Sequence, residues 1–259
     1  MEYHIPMLKM SKNTIEEKSE PLRRFGELAR LAFTETLYPT RCAVCDAPGK
    51  TLCFTCARHL PYIDVVRACP VCGAPHGLLQ CSECNRVLLE PFGYTEPPYT
   101  QAASAVFLNE DARRIVSIYK DQGEHRLARD IAVIMARYIA PAWAEEGAVV
   151  TYVPATKAAK RRRGFDHAES IAREVSFEAG LGFAPLLGPP KRLDQRTLGR
   201  SGRIQNMKHS MHIMEEVQVP RALILIDDVC TTGSTLFAAT EALKAAGAEH
   251  IYALTFARA

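Results

Sequence analysis

The 259-residue chain has no apolar run approaching the roughly 20 residues that cross a bilayer. Its first twenty residues, MEYHIPMLKMSKNTIEEKSE, lack the hydrophobic core of a secretory signal, so a cytoplasmic protein without membrane insertion is expected. Excess charge is also scarce: a formal net charge of +3 is too small to argue for a nucleic-acid partner by itself. No G-x-x-x-x-G-K-[ST] sequence occurs, which excludes a Walker-type phosphate loop. Cysteine is nearly absent outside one segment, since eight of the nine lie between Cys42 and Cys84 and the ninth is Cys230. Such clustering in a cytosolic chain points to metal rather than to a disulfide framework.

That segment holds four C-x-x-C pairs: Cys42/Cys45, Cys53/Cys56, Cys69/Cys72 and Cys81/Cys84. Each pair suits a knuckle in which one tight turn gives two thiolates to a tetrahedral ion, and two knuckles close a four-thiolate zinc site. Sequential pairing puts Cys42, Cys45, Cys53 and Cys56 on one ion and Cys69, Cys72, Cys81 and Cys84 on another; a crossed arrangement satisfies the spacing equally. Four thiolates leave no open position, so both zinc ions are expected to be structural. About fifty residues with few large apolar side chains need such staples to fold. His59 and His76 are read as surface residues, not ligands.

The stretch around which the chain is organised is Ala222–Leu236, ALILIDDVCTTGSTL. The aliphatic run Ala222–Ile226 predicts a strand buried on both faces, as in a parallel sheet. Two adjacent carboxylates, Asp227 and Asp228, are costly in a core and are expected where the strand emerges, at the carboxyl edge where open α/β sheets bind ligands. Thr231, Thr232, Gly233, Ser234 and Thr235 follow, and a helix is predicted from about Ser234, with Leu236, Ala239, Leu243 and Ala246 on one face and Gly247 as its stop. Hydroxyls, a glycine and a helix N-terminus in this order make a phosphate cradle. Ile251–Phe256 reads as the next strand. Cys230 is read as a small packing residue, because an anion bound at the same helix terminus opposes a thiolate.

Elsewhere, residues 1–21 read as a loose tail, and Leu22, Phe25, Leu28, Leu31 and Leu37 permit an amphipathic helix over 21–38. Pro91, Pro97 and Pro98 mark a linker, dividing a unit over 22–90 from one over 98–259. Strands are predicted at 103–108, 148–153 and about 210–214. Helical periodicity over 115–138 breaks near Gly123 and stops at Pro141, and another helix carries Ile171, Val175 and Ala179 before Gly180. After the strand at 148–153, a loop over 154–158 leads into Lys157, Lys160, Arg161, Arg162 and Arg163, a cationic run expected to be mobile until a ligand orders it. Cations there could grip pyrophosphate or a nucleic-acid backbone. Gln195, Leu198, Arg203 and Asn206, spaced Q-x-x-L-x-x-x-x-R-x-x-N, read as a polar loop.

The DD-x-x-T-T-G-S-T arrangement closely resembles the PRPP motif of type I phosphoribosyltransferases. With the four cysteine pairs, K-x-x-G at Lys120–Gly123, the V-P loop followed by R-G-F, and the Q-x-x-L pattern, the whole order resembles the ComF family from residue 22 to the end. One departure stands out: the usual R-G-F-N-Q is here Arg163, Gly164, Phe165, Asp166 and His167. The resemblance implies an α/β fold, a type I phosphoribosyltransferase-like parallel sheet flanked by helices and preceded by a small double zinc ribbon. It implies that Asp227 and Asp228 hold the ribose hydroxyls of PRPP or a related phosphorylated ligand, that Thr231–Thr235 hold its 5'-phosphate, and that Mg2+ accompanies it. Lys157 and Arg163 are the candidates for the pyrophosphate side. The implied setting is natural competence and DNA uptake, as a phosphoribosyltransferase with an unidentified acceptor. The alternative is a non-catalytic partner of single-stranded DNA or of the competence machinery.

Overall fold

Four parallel strands lie side by side in the order Gln101–Phe107, His250–Arg258, Ala222–Cys230 and Val149–Tyr152, and the run that dominates the sequence lies inside that sheet. The computed structural model describes residues 39–190 and 211–259. The expected tail, the helix over 21–38 and the Gln195–Asn206 pattern lie outside the described residues. In chain order, the cysteine-rich segment carries α1 (Phe54–Arg58) and α2 (Arg86–Leu89). Then come β1 (Gln101–Phe107), α3 (Glu110–Asp121), α4 (Leu127–Ala136), α5 (Pro141–Glu145), β2 (Val149–Tyr152), α6 (Lys157–Arg163) and α7 (His167–Ala179). A short antiparallel pair, β3 (Leu187–Gly188) with β4 (His212–Ile213), precedes β5 (Ala222–Cys230), α8 (Ser234–Ala245) and β6 (His250–Arg258).

Side chains of a strand alternate between faces, and here the alternation separates two cores. Ile224 and Ile226 of β5, with Tyr252, Leu254 and Phe256 of β6, face Tyr119, Ile131, Ile171 and Val175 of α3, α4 and α7. Leu223, Leu225, Ile251 and Ala253 face the other way, onto Leu236, Phe237 and Leu243 of α8. Leu223 to Ile226 are wholly buried, and each such side chain contributes about 1.5–3 kcal/mol. A continuous aliphatic run is what a strand covered on both faces requires.

The cysteine-rich segment is built into both cores. Cys42, Ala43, Leu52 and Leu60 join the first, and Cys69, Cys72, Ala74 and Leu89 join the second. Residues 61–63 run antiparallel along β1, where Ile63 N–H donates to Ala105 O at 2.9 Å and Phe107 N–H to Pro61 O at 2.8 Å. The ribbon segment thus covers what would be an open sheet edge. The two units drawn from the sequence therefore share side-chain packing.

Two local expectations are corrected. Pro141 does not stop a helix: α4 ends at Ala136, and Pro141 opens α5 at its first turn, where its missing N–H costs nothing. The cationic run is helical, since the Thr156 side chain caps the Ala159 N–H at 3.2 Å and Gly164, at φ 80°, ends the helix.

Candidate functional site

The acidic pair sits within β5, not beyond it. β6 runs alongside as far as Arg258, so Val229 and Cys230 keep a strand partner and the ladder continues past both carboxylates. Asp227 is half-buried and Asp228 is only 4% exposed. A carboxylate this deep needs compensation, and Lys120 at the end of α3 supplies it by pairing with Asp228 Oδ2. His167 Nε2 lies 3.8 Å from Asp228 Oδ1, and the Asp228 N–H donates to Asp227 Oδ1 at 2.9 Å.

These neighbours set the charges apart. Burial, then the negative charge of Asp228, pushes Asp227 well above the usual carboxylate range. Burial also raises Asp228, but the Lys120 ammonium and His167 outweigh it and leave Asp228 below the usual range. Burial holds His167 below its ordinary value against the pull of Asp228. The pair therefore holds one ionised and one readily protonated acid beside an imidazole whose charging burial disfavours.

Downstream of Cys230, Thr231 and Thr232 are exposed, and Gly233 takes φ 73° to turn the chain into α8. Thr232 Oγ1 and Ser234 Oγ lie 2.9 Å apart. The first N–H groups of a helix have no partner within it, so the turn presents donors and hydroxyls together. Beneath it, Phe237 packs edge-on to Tyr94 with ring centroids 5.2 Å apart.

Of the cationic run, Arg163 is the member that turns inward. Its guanidinium lies 3.3 Å from His167 Nδ1 and 3.5 Å from Asp121 Oδ1, which brings Arg163, His167, Lys120 and the acidic pair into one network. Lys157 is exposed at the first turn of α6, outside that network. Asp166 is buried and holds two backbone segments together. Its Oδ2 accepts the Ala155 N–H at 2.9 Å while Oδ1 caps α7 at Glu169 N–H, 3.4 Å away.

The eight clustered cysteines form two sets in the sequential pairing, Cys42, Cys45, Cys53 and Cys56 in one and Cys69, Cys72, Cys81 and Cys84 in the other, each with its sulfurs within 4.8 Å of one another. Cys45 and Cys53 are 3.7 Å apart, Cys69 and Cys84 3.6 Å, and Cys72 and Cys81 3.5 Å. Zinc–sulfur bonds of about 2.3 Å in a tetrahedron put sulfurs about 3.8 Å apart, so both sets fit a structural zinc ion. His59 and His76 are exposed and belong to neither set.

Residues 33–90 match the family described as the double zinc ribbon domain. The chain is also 24% identical over 191 residues to competence protein ComFC of Streptococcus pneumoniae, a match spanning 73% of this chain and 80% of that protein. On these two matches the chain resembles the ComF family. Solved structures similar to this chain include an allosteric regulatory enzyme of purine biosynthesis, at 20% identity over 51% of this chain and 25% of that one, with a TM-score of 0.35. Adenine phosphoribosyltransferase from Leishmania tarentolae matches at 20% identity over 53% and 58%, with a TM-score of 0.29. Orotate phosphoribosyltransferase from Aeropyrum pernix matches at 14% over 60% and 79%, with a TM-score of 0.30.

The candidate site contains two residues that the sequence did not assign to it. Lys120 was visible only as part of K-x-x-G, and its contact with Asp228 crosses 108 positions of chain. His167 stands where the family pattern has an amide and lies against Asp228. His167, Asp227 and Asp228 each offer a donor atom within 4.8 Å of the others. Because Lys120 engages Asp228 Oδ2, the set is a poor cage for a directly held divalent ion and better suits a cation shared with an oxygen-rich ligand. Among the described residues, no helix is long and apolar enough to cross a membrane.

Proposed function

We propose that this protein is a member of the ComF family that binds PRPP, or a closely related ribose 5-phosphate ligand, together with Mg2+ at the end of β5, and transfers the phosphoribosyl group to an acceptor. The observation that carries this reading is the continuity of Asp227 and Asp228 with the Thr231–Thr235 turn at the N-terminus of α8. One short stretch offers carboxylates to ribose hydroxyls and backbone donors to a 5'-phosphate.

The residues divide the work. Asp227 and Asp228 accept hydrogen bonds from the ribose hydroxyls and orient the ring. Lys120 keeps Asp228 ionised, and Arg163, held by His167 and Asp121, presents its guanidinium toward the leaving-group side with Lys157 at the mouth. Mg2+, when bound, neutralises charge on the pyrophosphate leaving group. The chain's own contribution to cleaving the C1–oxygen bond is positioning and fixed charge, not a covalent nucleophile. Cys230 suits no such role, because burial pushes its thiol above the ordinary range.

The setting inferred from the ComFC relative is natural competence. The exposed face of α6, with Lys157, Lys160, Arg161 and Arg162, favours a second reading in which single-stranded DNA is held electrostatically. Pyrophosphate release from PRPP, screened over bases and amines, separates the two. Release that needs an acceptor supports transfer; salt-sensitive DNA binding that survives loss of both acids, with no release, supports the second.

A further inference from the structure

The last strand ends on a buried arginine that touches both halves of the molecule. Arg258 is 6% exposed, an unusual place for a guanidinium unless its donors are satisfied. Its Nε and Nη2 donate to Glu83 Oε2 at 2.7 and 2.6 Å. Nη1 donates to the Cys72 carbonyl at 2.9 Å and approaches Cys230 Sγ at 3.5 Å.

Each partner belongs to a working part. Glu83 lies inside the Cys81–Cys84 knuckle, where its N–H and that of Cys84 both donate to Cys81 Sγ, at 3.3 and 3.4 Å. Cys72 is a member of the same four-sulfur set. Cys230 is the residue before the phosphate loop, and its carbonyl accepts the Ala259 N–H at 3.0 Å. One planar fork thus spans two knuckles of the second zinc ribbon and the root of the anion loop.

The surroundings leave little slack. Gly73, at the turn of the Cys69–Cys72 knuckle, has φ 71°, and a Cβ there would stand 2.7 Å from Ala102 O and 2.9 Å from Ala103 Cα in β1. The Ala102 N–H donates to Val71 O at 2.8 Å. Cys69, Cys72, Cys230 and Phe237 share one packed core, so a shift of the knuckle is transmitted to the neighbours of the loop.

We infer that Arg258 is a positioning residue through which the second zinc ribbon, Cys69, Cys72, Cys81 and Cys84, holds the Thr231–Thr235 loop in its ligand-ready shape. Metal occupancy of that ribbon and anion binding at the loop are then coupled, and by linkage each strengthens the other. The inference deepens the reading of the loop as an anion site and rests on it only for the anion arm of the test. The first ribbon, packed into the opposite core, has no such contact among the described residues.

The test uses the zinc-loaded full chain as wild type, Arg258→Lys, Arg258→Met and Glu83→Gln. Glu83→Gln is the mild variant, since it keeps all eight thiols and the arginine. Zinc content and hydrogen exchange are measured on each, and zinc loss to a chelator is timed with and without inorganic phosphate. The expected result is two zinc ions per chain in Glu83→Gln and exchange over 231–235 raised several-fold, with β2 and α7 unchanged. Phosphate should slow the loss of one zinc in wild type and lose that effect in Arg258→Met. Exchange over 231–235 equal to wild type in zinc-replete Glu83→Gln and Arg258→Lys overturns the inference, as does a rise spread evenly over the chain. Raised local exchange with no phosphate effect in wild type overturns the coupling to an anion and leaves only the positioning of the loop by Arg258 standing.

Discussion

Asp166 Oδ2 accepts the Ala155 backbone N–H at 2.9 Å, which ties the start of α7 to the loop leaving β2. The other oxygen of the same carboxylate caps α7. An amide has one acceptor oxygen, so Asp166→Asn should give up one of these bonds and cost about 1 kcal/mol. Asp166→Ala gives up both and should cost about 2–3 kcal/mol, read as a shift in the denaturant midpoint at constant slope.

His167 should make the protein acid-sensitive. Its folded pKa lies below the ordinary 6.5, so at this group the folded state binds fewer protons than the unfolded one and its contribution to stability falls as pH drops below about 6.5, while Asp227, raised above its ordinary value, works in the opposite sense. Asp228 is depressed below 3.8, and its contribution is lost only as pH falls further, through and below that value. Thermal unfolding between pH 7 and 5 should therefore decline less steeply for His167→Gln than for wild type. Parallel declines would mean that the imidazole is not the group responsible.

Gly233 combines a left-handed backbone with a close neighbour: a Cβ would meet Phe237 Cε1 at 3.2 Å. Gly233→Ala should cost about 1 kcal/mol or more through φ alone and should weaken anion binding disproportionately, because the turn reshapes where the donors converge. Calorimetry with ribose 5-phosphate beside a denaturant curve separates the two effects.

Two zinc ions per chain are expected by elemental analysis, one from each set of four thiolates. Serine at Cys45 should remove one ion and leave the second ribbon loaded; serine at Cys84 should do the reverse. Retention of both ions in either variant would contradict the sequential pairing seen in the sulfur positions.

What could be read from the sequence was whatever local chemistry dictates. The C-x-x-C spacing implied four-thiolate sets because a knuckle needs only one turn, and the Leu223–Ile226 run implied a buried strand because no surface element tolerates it. The start of α8 at Ser234 followed from the glycine and hydroxyls before it. What escaped was set by partners far away in sequence. β5 reaches Cys230 because β6 lies beside it, although Asp227 and Asp228 break the apolar pattern. The helix over Lys157–Arg163 was masked by its charge, which says nothing about backbone, while the Thr156 cap and Gly164 stop were the readable signals. Lys120 and Arg258 reach the site only through the sheet topology, and no spacing rule places either there.

Asp227, Asp228 and the Thr231–Thr235 turn are proposed to grip one ligand, and everything said of function follows from that. Calorimetric titration of PRPP with and without Mg2+, on wild type and on the double variant Asp227→Asn, Asp228→Asn, tests it most directly. The expected result is Mg2+-dependent binding that strengthens as pH rises and Asp227 loses its proton, and at least a tenfold loss in the double variant, about 1.4 kcal/mol, with zinc content unchanged. Undiminished affinity in the double variant, or no binding to wild type at any Mg2+ concentration, would contradict it.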